Sequence, residues 1–150
     1  MNIIDLLIED HAELRKEVVA IKRTLSQDEL RDKIKLFISK YEIHESVEEE
    51  ILFPALSSLP PATVSERFIP DYEKTHERIW TVLDQLVALL GHGRYDDLQQ
   101  AFFQFNAVFE AHLRQEERIL FPTIRNILDR TMLEALGQKA EKRFARFENF

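Results

Sequence analysis

Two stretches of the chain carry a histidine and a glutamate four residues apart, His44 with Glu48 and His112 with Glu116. On a helix this spacing places both side chains on one face about one turn apart, so that an imidazole nitrogen and a carboxylate oxygen can reach a common ion. The pairs lie in related segments: HESVEEEILFP (residues 44–54) and HLRQEERILFP (residues 112–122) share His, Glu, Glu, Ile, Leu, Phe and Pro in register. A duplicated helical hairpin is expected from such agreement. The chain has no cysteine, which excludes disulfides, thiolate nucleophiles, iron–sulfur clusters and Cys-ligated zinc. Any metal must then be held by histidine and carboxylate. Catalytic triads, phosphate-binding loops and dinucleotide fingerprints are absent.

The elements that position these residues read as helices throughout. Three glycines and five prolines leave little turn material, and no stretch alternates apolar and polar residues long enough to form a strand. Breaks near Leu25 and Ser26, at Pro54 and Pro60-Pro61, at Gly91-His92-Gly93 and at Pro122 predict helices over about 3–24, 27–53, 64–90 and 95–121, with Pro70 kinking or restarting the third. A shorter helix over about 131–147, with Leu133, Leu136, Ala140, Phe144 and Phe147 on one side, lies across the bundle or meets a second subunit. Asn2 is a candidate cap for the first helix. Ser26 with Glu29, Thr63 with Glu66 and Thr131 with Glu134 each match the capping box that satisfies free amides at a helix start. The fold class is therefore all-α: one domain over 1–150, an up-down-up-down four-helix bundle with an additional C-terminal helix.

Each long helix has a seam spaced three and four residues apart. The seams run Ile4, Leu7, His11, Leu14, Val18, Ile21, Leu25; then Leu30, Ile34, Phe37, Tyr41, His44, Glu48, Ile51; then Ile69, Tyr72, His76, Ile79, Leu83, Leu86, Leu90; and finally Leu98, Phe102, Phe105, Phe109, His112, Glu116, Ile119. All are apolar except at one depth. His11 and His76 lie near helix starts, His44/Glu48 and His112/Glu116 near helix ends, so antiparallel packing at ~1.5 Å rise per residue brings all six into one layer. A buried unpaired carboxylate costs several kcal/mol, and no seam supplies Lys or Arg at this depth. A metal cluster supplies the missing positive charge. Each half of the duplication brings two histidines and one glutamate, so two ions, bridged by the two carboxylates, fit better than one.

The segments DHAEL (residues 10–14), HESVEEEILFP, THERI (75–79) and HLRQEERILFP together resemble the hemerythrin-like, or HHE cation-binding, family over essentially the whole chain. The resemblance implies a non-haem di-iron centre ligated by His11, His44, Glu48, His76, His112 and Glu116, with both glutamates bridging two iron ions (Fe2+/Fe3+) beside an oxo or hydroxo bridge. Manganese or zinc could take iron's place. Oxygen-carrying hemerythrins have a further histidine where this sequence has Tyr72, four residues before His76. Tyr72 could close an open iron position as a phenolate, hydrogen-bond a bound ligand, or simply fill the core.

The remaining candidates have plainer readings. His92 is expected in a solvated loop, and Glu45, Glu49 and Glu117 adjoin the ligands but lie off the seam, in supporting or solvated roles. Glu73 with His76 imitates the Glu-x-x-His of ferritin-like sites, which should occur on two helices and occurs here on one. Phe37, Phe102, Phe105 and Phe109 read as core that would also keep water from the metals.

With 20 basic against 27 acidic residues, a net charge of -7, nucleic acid is not an expected partner. The N-terminus lacks the marks of a secretion signal, and the longest strongly apolar stretch, Leu86 to Leu90, is far too short to span a membrane. A cytoplasmic protein is the expectation. The function expected is binding or sensing of a small diatomic ligand, dioxygen or nitric oxide, at the di-iron centre. Alternatives are redox turnover of peroxide or nitric oxide, and iron handling or repair. No protein partner can be read from the residues.

Overall fold

The computed structural model describes residues 1–60, 63–64 and 68–148, with side chains through 146, and every regular element among them is a helix. In order these are α1 (Ile3–Lys22), α2 (Gln27–Val47), α3 (Phe53–Ser57), α4 (Phe68–Leu89), α5 (Tyr95–Gln115), α6 (Phe121–Ile127) and α7 (Arg130–Glu148). No described helix is long and apolar enough to cross a membrane. The long helices α1, α2, α4 and α5 form the bundle, and α7 lies against α1 and α2.

Two of the expected caps form. The Asn2 side chain accepts the Asp5 amide at 2.9 Å, and Ser26 accepts the Glu29 amide at 3.5 Å. The Thr131 box does not cap α7: that helix starts one residue earlier, and Asp129 Oδ1 takes the Met132 amide at 2.8 Å. Aspartate is a strong N-cap, and here it sits in the right register. Thr63 donates its hydroxyl to the Pro60 carbonyl at 2.8 Å, while Glu66 lies outside the described residues. Residue 64 is a bend rather than a helix start, residues 65–67 lie outside the described residues, and the third bundle helix is described from Phe68, with Pro70 within it.

Pro54 and Pro122 do not end their helices. Each helix passes through one wide π turn, Glu48–Leu52 or Glu116–Leu120, and continues as α3 or α6. In these turns the Phe53 amide reaches the Glu48 carbonyl and the Phe121 amide reaches the Glu116 carbonyl, five residues back rather than four. Proline has no amide to donate and its ring collides with the carbonyl four residues earlier, so widening the turn lets the chain stay helical. One result departs from the seams drawn above. Ile119 is 54% exposed and Ile51 only partly buried, while Leu52, Phe53, Leu56 and Leu120, Phe121, Ile124 turn inward. Leu25, beyond the end of α1, is 89% exposed, and Ile69 is partly buried.

The apolar interior is divided in two. One cluster, built on Leu14, Val18, Phe37, Tyr41, Leu83, Phe105 and Phe109, fills the bundle toward the α1–α2 and α4–α5 loops. The other, built on Ile3, Leu7, Leu52, Phe53, Leu120, Phe121 and Ile124, fills the opposite end under α7, which adds Leu133, Leu136 and Ala140. Phe144 packs there too, while Phe147 lies outside the described side chains. Gly137 makes this docking possible, since a Cβ there would stand 2.1 Å from the Met1 carbonyl oxygen. Arg143 ties α7 to the second helix through Ser46 Oγ at 3.0 Å and Glu50 Oε2 at 2.6 Å. Between the two clusters lies a single polar layer.

Candidate metal centre

His11, His44, Glu48, His76, His112 and Glu116 meet in that layer, and none is more than 4% exposed. α1 brings His11, α2 brings His44, α4 brings His76 and α5 brings His112, while the two glutamates are the first residues of the two π turns. Their donor atoms fall into two overlapping sets, His11, His44, Glu48, Glu116 and Glu48, His76, His112, Glu116, each with its atoms within 4.8 Å of one another. Both carboxylates belong to both sets. Either set could hold a metal ion.

The contacts inside the layer are close but are not hydrogen bonds. His44 Nε2 lies 2.7 Å from Glu48 Oε1, His112 Nε2 3.2 Å and His11 Nε2 3.3 Å from Glu116 Oε1, and His76 Nε2 3.4 Å from Glu48 Oε2. Yet His11 Nε2, His44 Nε2 and all four carboxylate oxygens of Glu48 and Glu116 lack a correctly directed partner. Buried polar atoms are rarely left so. Imidazole nitrogens and carboxylate oxygens converging without pointing hydrogens at one another are what a cation in their midst requires. An N/O donor set of this kind suits first-row transition metals.

Three of the four rings are braced from behind. His44 Nδ1 meets Asp10 Oδ2 at 2.7 Å, His11 Nδ1 meets Glu117 Oε2 at 2.9 Å, and His76 Nδ1 meets Glu49 Oε1 at 3.1 Å and Glu45 Oε1 at 3.3 Å. Such carboxylates fix the ring's tautomer and orientation, leaving the other nitrogen free to coordinate. Glu117 is itself held by Arg15, whose guanidinium spans Glu117 and Glu110 at 2.8–3.2 Å. Glu45 receives the indole N–H of Trp80. His112 Nδ1 is buried without a partner. Glu45, Glu49 and Glu117, for which the sequence leaves support and solvation both open, each contact a ring. Asp10 and Arg15 escape the sequence reading, because each braces a residue on another helix and no spacing along its own helix marks it.

Burial and neighbouring charge compete throughout the layer. Burial disfavours a charged ring at His44, but Glu48, Asp10 and Glu116 outweigh it and hold the pKa well above the usual value. At His76 burial is likewise overcome, by Glu48, Glu49 and Glu45, and the pKa rises to about 10. Burial works against the charge of Glu116 too, yet Glu48 and the rings of His11, His112 and His44 keep it well below the usual carboxylate range. Burial, with Glu49 and Glu48 adding to it, pushes Glu45 up to about 7 despite His76 and Trp80. The clustered carboxylates thus favour positive charge in their midst.

Two phenols border the layer. Tyr72 is 5% exposed, its hydroxyl has no partner among the described residues, and burial together with Glu116 and Glu48 pushes it up to about 12. Tyr41 also has an unpartnered, buried hydroxyl, raised well above its usual value by burial and by Glu45, Glu48 and Glu116. The sequence reading leaves Tyr41 in the apolar seam, where its ring does pack with Phe37, Phe109 and Trp80. Elsewhere the structure separates candidates from the layer: His92 is exposed in the α4–α5 turn, and Glu73 is exposed on α4.

Known proteins resemble this chain in sequence family and in fold. The family model "Hemerythrin HHE cation binding domain" matches residues 2–124 and again residues 67–143. Among solved structures, a hemerythrin HHE cation binding domain-containing protein from Mycobacterium kansasii superposes with a TM-score of 0.83 at 21% identity, covering 99% of this chain and 88% of that one. Comparison with curated protein sequences gives no match. With a family match along nearly its whole length and a polar layer of the composition that cation binding demands, the chain belongs to the hemerythrin HHE cation-binding domain family.

Proposed function

We propose that the layer holds two iron ions, His11 and His44 serving one, His76 and His112 the other, with Glu48 and Glu116 shared, and that the protein binds or senses dioxygen or nitric oxide there. The supporting observation is the meeting of six buried donors in two sets with common carboxylates and with unpartnered oxygens and nitrogens between them. Iron in such a site supplies redox chemistry and a position for a small ligand. The chain's own residues do the rest. Asp10, Glu117 and Glu49 orient three imidazoles. Phe53 stacks on His76 and Phe121 lies tilted against His11, with ring centroids at 6.0 and 5.3 Å, so buried apolar rings cover that end of the layer.

Redox turnover of peroxide or nitric oxide is a second reading, favoured by the unpartnered hydroxyls of Tyr41 and Tyr72, each able to give a hydrogen bond to a small molecule in the layer. One experiment addresses both. Iron-loaded protein is reduced without oxygen and then given dioxygen, nitric oxide or peroxide separately while spectra are recorded. Close to two irons per chain and a reversible adduct support binding, whereas repeated consumption of peroxide or of nitric oxide supports an enzyme. Protein that takes up no iron under anaerobic ferrous addition refutes both.

A further inference from the structure

His76 and Trp80 stand four residues apart on one face of α4, and Glu45 of α2 touches both. Its Oε2 accepts the indole N–H of Trp80, and its Oε1 lies 3.3 Å from Nδ1 of His76. The other nitrogen of that ring, Nε2, faces Glu48 Oε2 at 3.4 Å inside the layer. A single buried carboxylate thus joins the one tryptophan of the chain to a donor of the layer. The braces behind the other rings end differently. Glu117, behind His11, runs on to Arg15, a group that gives up no electron. Among the described residues, Glu45 is the one brace that passes on to an oxidisable ring.

The outer end of this chain of contacts reaches solvent. Trp80 is half-buried and, with His76, lines an opening of about 290 Å³ whose charged rim is Glu49, Glu73 and Glu77. Its ring packs on Tyr41, with centroids 5.9 Å apart, which holds the indole in place. A buried N–H of tryptophan needs an acceptor, and here the acceptor is shared with a ligand imidazole. The indole therefore spans the distance between the brace and the surface.

We infer that Trp80 is the electron port of the layer, passing single electrons through Glu45 and His76 between a one-electron donor at the surface and oxidised iron within. The inference rests on the layer's holding iron. No bond forms or breaks in either transfer. The indole gives one electron inward, reducing one iron by one unit of charge, and becomes a radical cation. Its proton stays in the hydrogen bond to Glu45, whose negative charge stabilises the oxidised ring. The donor then returns one electron, restores the indole and is itself oxidised by one. The acidic rim favours a cationic one-electron reductant of the viologen type over an anionic one.

The port can be watched directly, because a chain with one tryptophan gives an indole-radical absorbance that reports Trp80 alone. A cationic ruthenium polypyridyl complex, photo-oxidised by a laser flash, removes one electron from the indole. Full-length protein loaded anaerobically with ferrous iron is compared with protein loaded with zinc, after elemental analysis of both. Zinc has no second redox state, so the radical persists there, whereas ferrous iron refills it, and decay at least about tenfold faster is expected in the iron sample. Ferric absorbance should grow at the rate at which the radical disappears. Trp80→Phe keeps an aromatic ring in place and should bind the same iron, yet show neither the radical nor the fast ferric growth. Equal radical lifetimes with iron and zinc overturn the port, as does unchanged fast ferric growth in the variant. Protein that takes up no iron overturns the layer and the port together, while full iron content with equal lifetimes overturns the port alone.

Discussion

Loading metal into this layer should expel protons. In the metal-free protein the carboxylates hold His44 and His76 in their protonated forms, His76 with a pKa of about 10. A ring must be neutral to coordinate. At pH 7, removing the His76 proton against a pKa of about 10 spans three units, on the order of 4 kcal/mol of metal affinity. His44 adds to this in the same direction. Apparent affinity should therefore climb about tenfold per pH unit for each proton displaced.

The two forms should also respond differently to pH. A ring whose folded pKa is raised above the usual 6.5 stabilises the metal-free fold fully below about 6.5, and that contribution is lost as pH rises toward about 10. The metal-loaded fold is unaffected by these rings over the same interval, because they bind no proton either when coordinated or in the unfolded chain above about pH 6.5. The assay is direct: zinc, or ferrous iron without oxygen, is added to metal-free protein in weakly buffered solution at pH 7 with a pH indicator. Release of about two protons per chain is expected, with thermal unfolding of the two forms diverging between pH 6.5 and 9.5. Release of less than one proton per chain would refute the argument, since the rings would then already be neutral.

Further outcomes are open to measurement. Glu48→Ala or Glu116→Ala should abolish the two-metal stoichiometry in elemental analysis, whereas His92→Ala, altering an exposed turn residue, should leave it intact. Asp10→Asn weakens the acceptor behind His44, and a 10–100-fold loss of metal affinity by competition with a chelator is expected. If Tyr72 ligates oxidised iron as a phenolate, the protein should show a visible charge-transfer band that Tyr72→Phe removes; an unchanged spectrum leaves Tyr72 as a hydrogen-bond donor or core residue. Gly137→Ala drives a methyl into the Met1 carbonyl and should destabilise the fold by about 1–3 kcal/mol, seen as a fall in Tm of several degrees.

Much of the site is legible in the sequence because a bundle obeys a simple periodicity. His11, His44, His76 and His112 interrupt seams that are otherwise apolar, and antiparallel packing suffices to bring them to one height. What resists reading has particular causes. Pro54 and Pro122 look like stops, since a proline's effect depends on whether the turn before it widens, and the amino-acid order does not announce that. The same widening exposes Ile119 and buries Leu120. Asp10 and Arg15 act across helices, so their roles depend on rotation of one rod against another. Tyr41 looks like core because its ring is core, and only its hydroxyl betrays the neighbouring carboxylates. The cap of α7 falls to Asp129 rather than Thr131 because two good capping residues stand two positions apart, and packing of Leu133, Leu136 and Ala140 selects the register.

The paired π turns carry one more consequence. Each works as a phase adjuster, letting one continuous rod present a carboxylate to the bundle axis and, a turn later, a wholly greasy face to the same axis. Closing this turn into a regular one with every residue kept would rotate everything from Phe53 to Ser57 by about 100° while leaving Tyr41, His44 and Glu48 where they are, and deleting one residue between Glu49 and Leu52 would bring the inward face back. The mineral-facing part of the helix and its hydrophobic tip are geared together by one surplus residue, and the duplicated half repeats the same gearing at Glu116–Leu120.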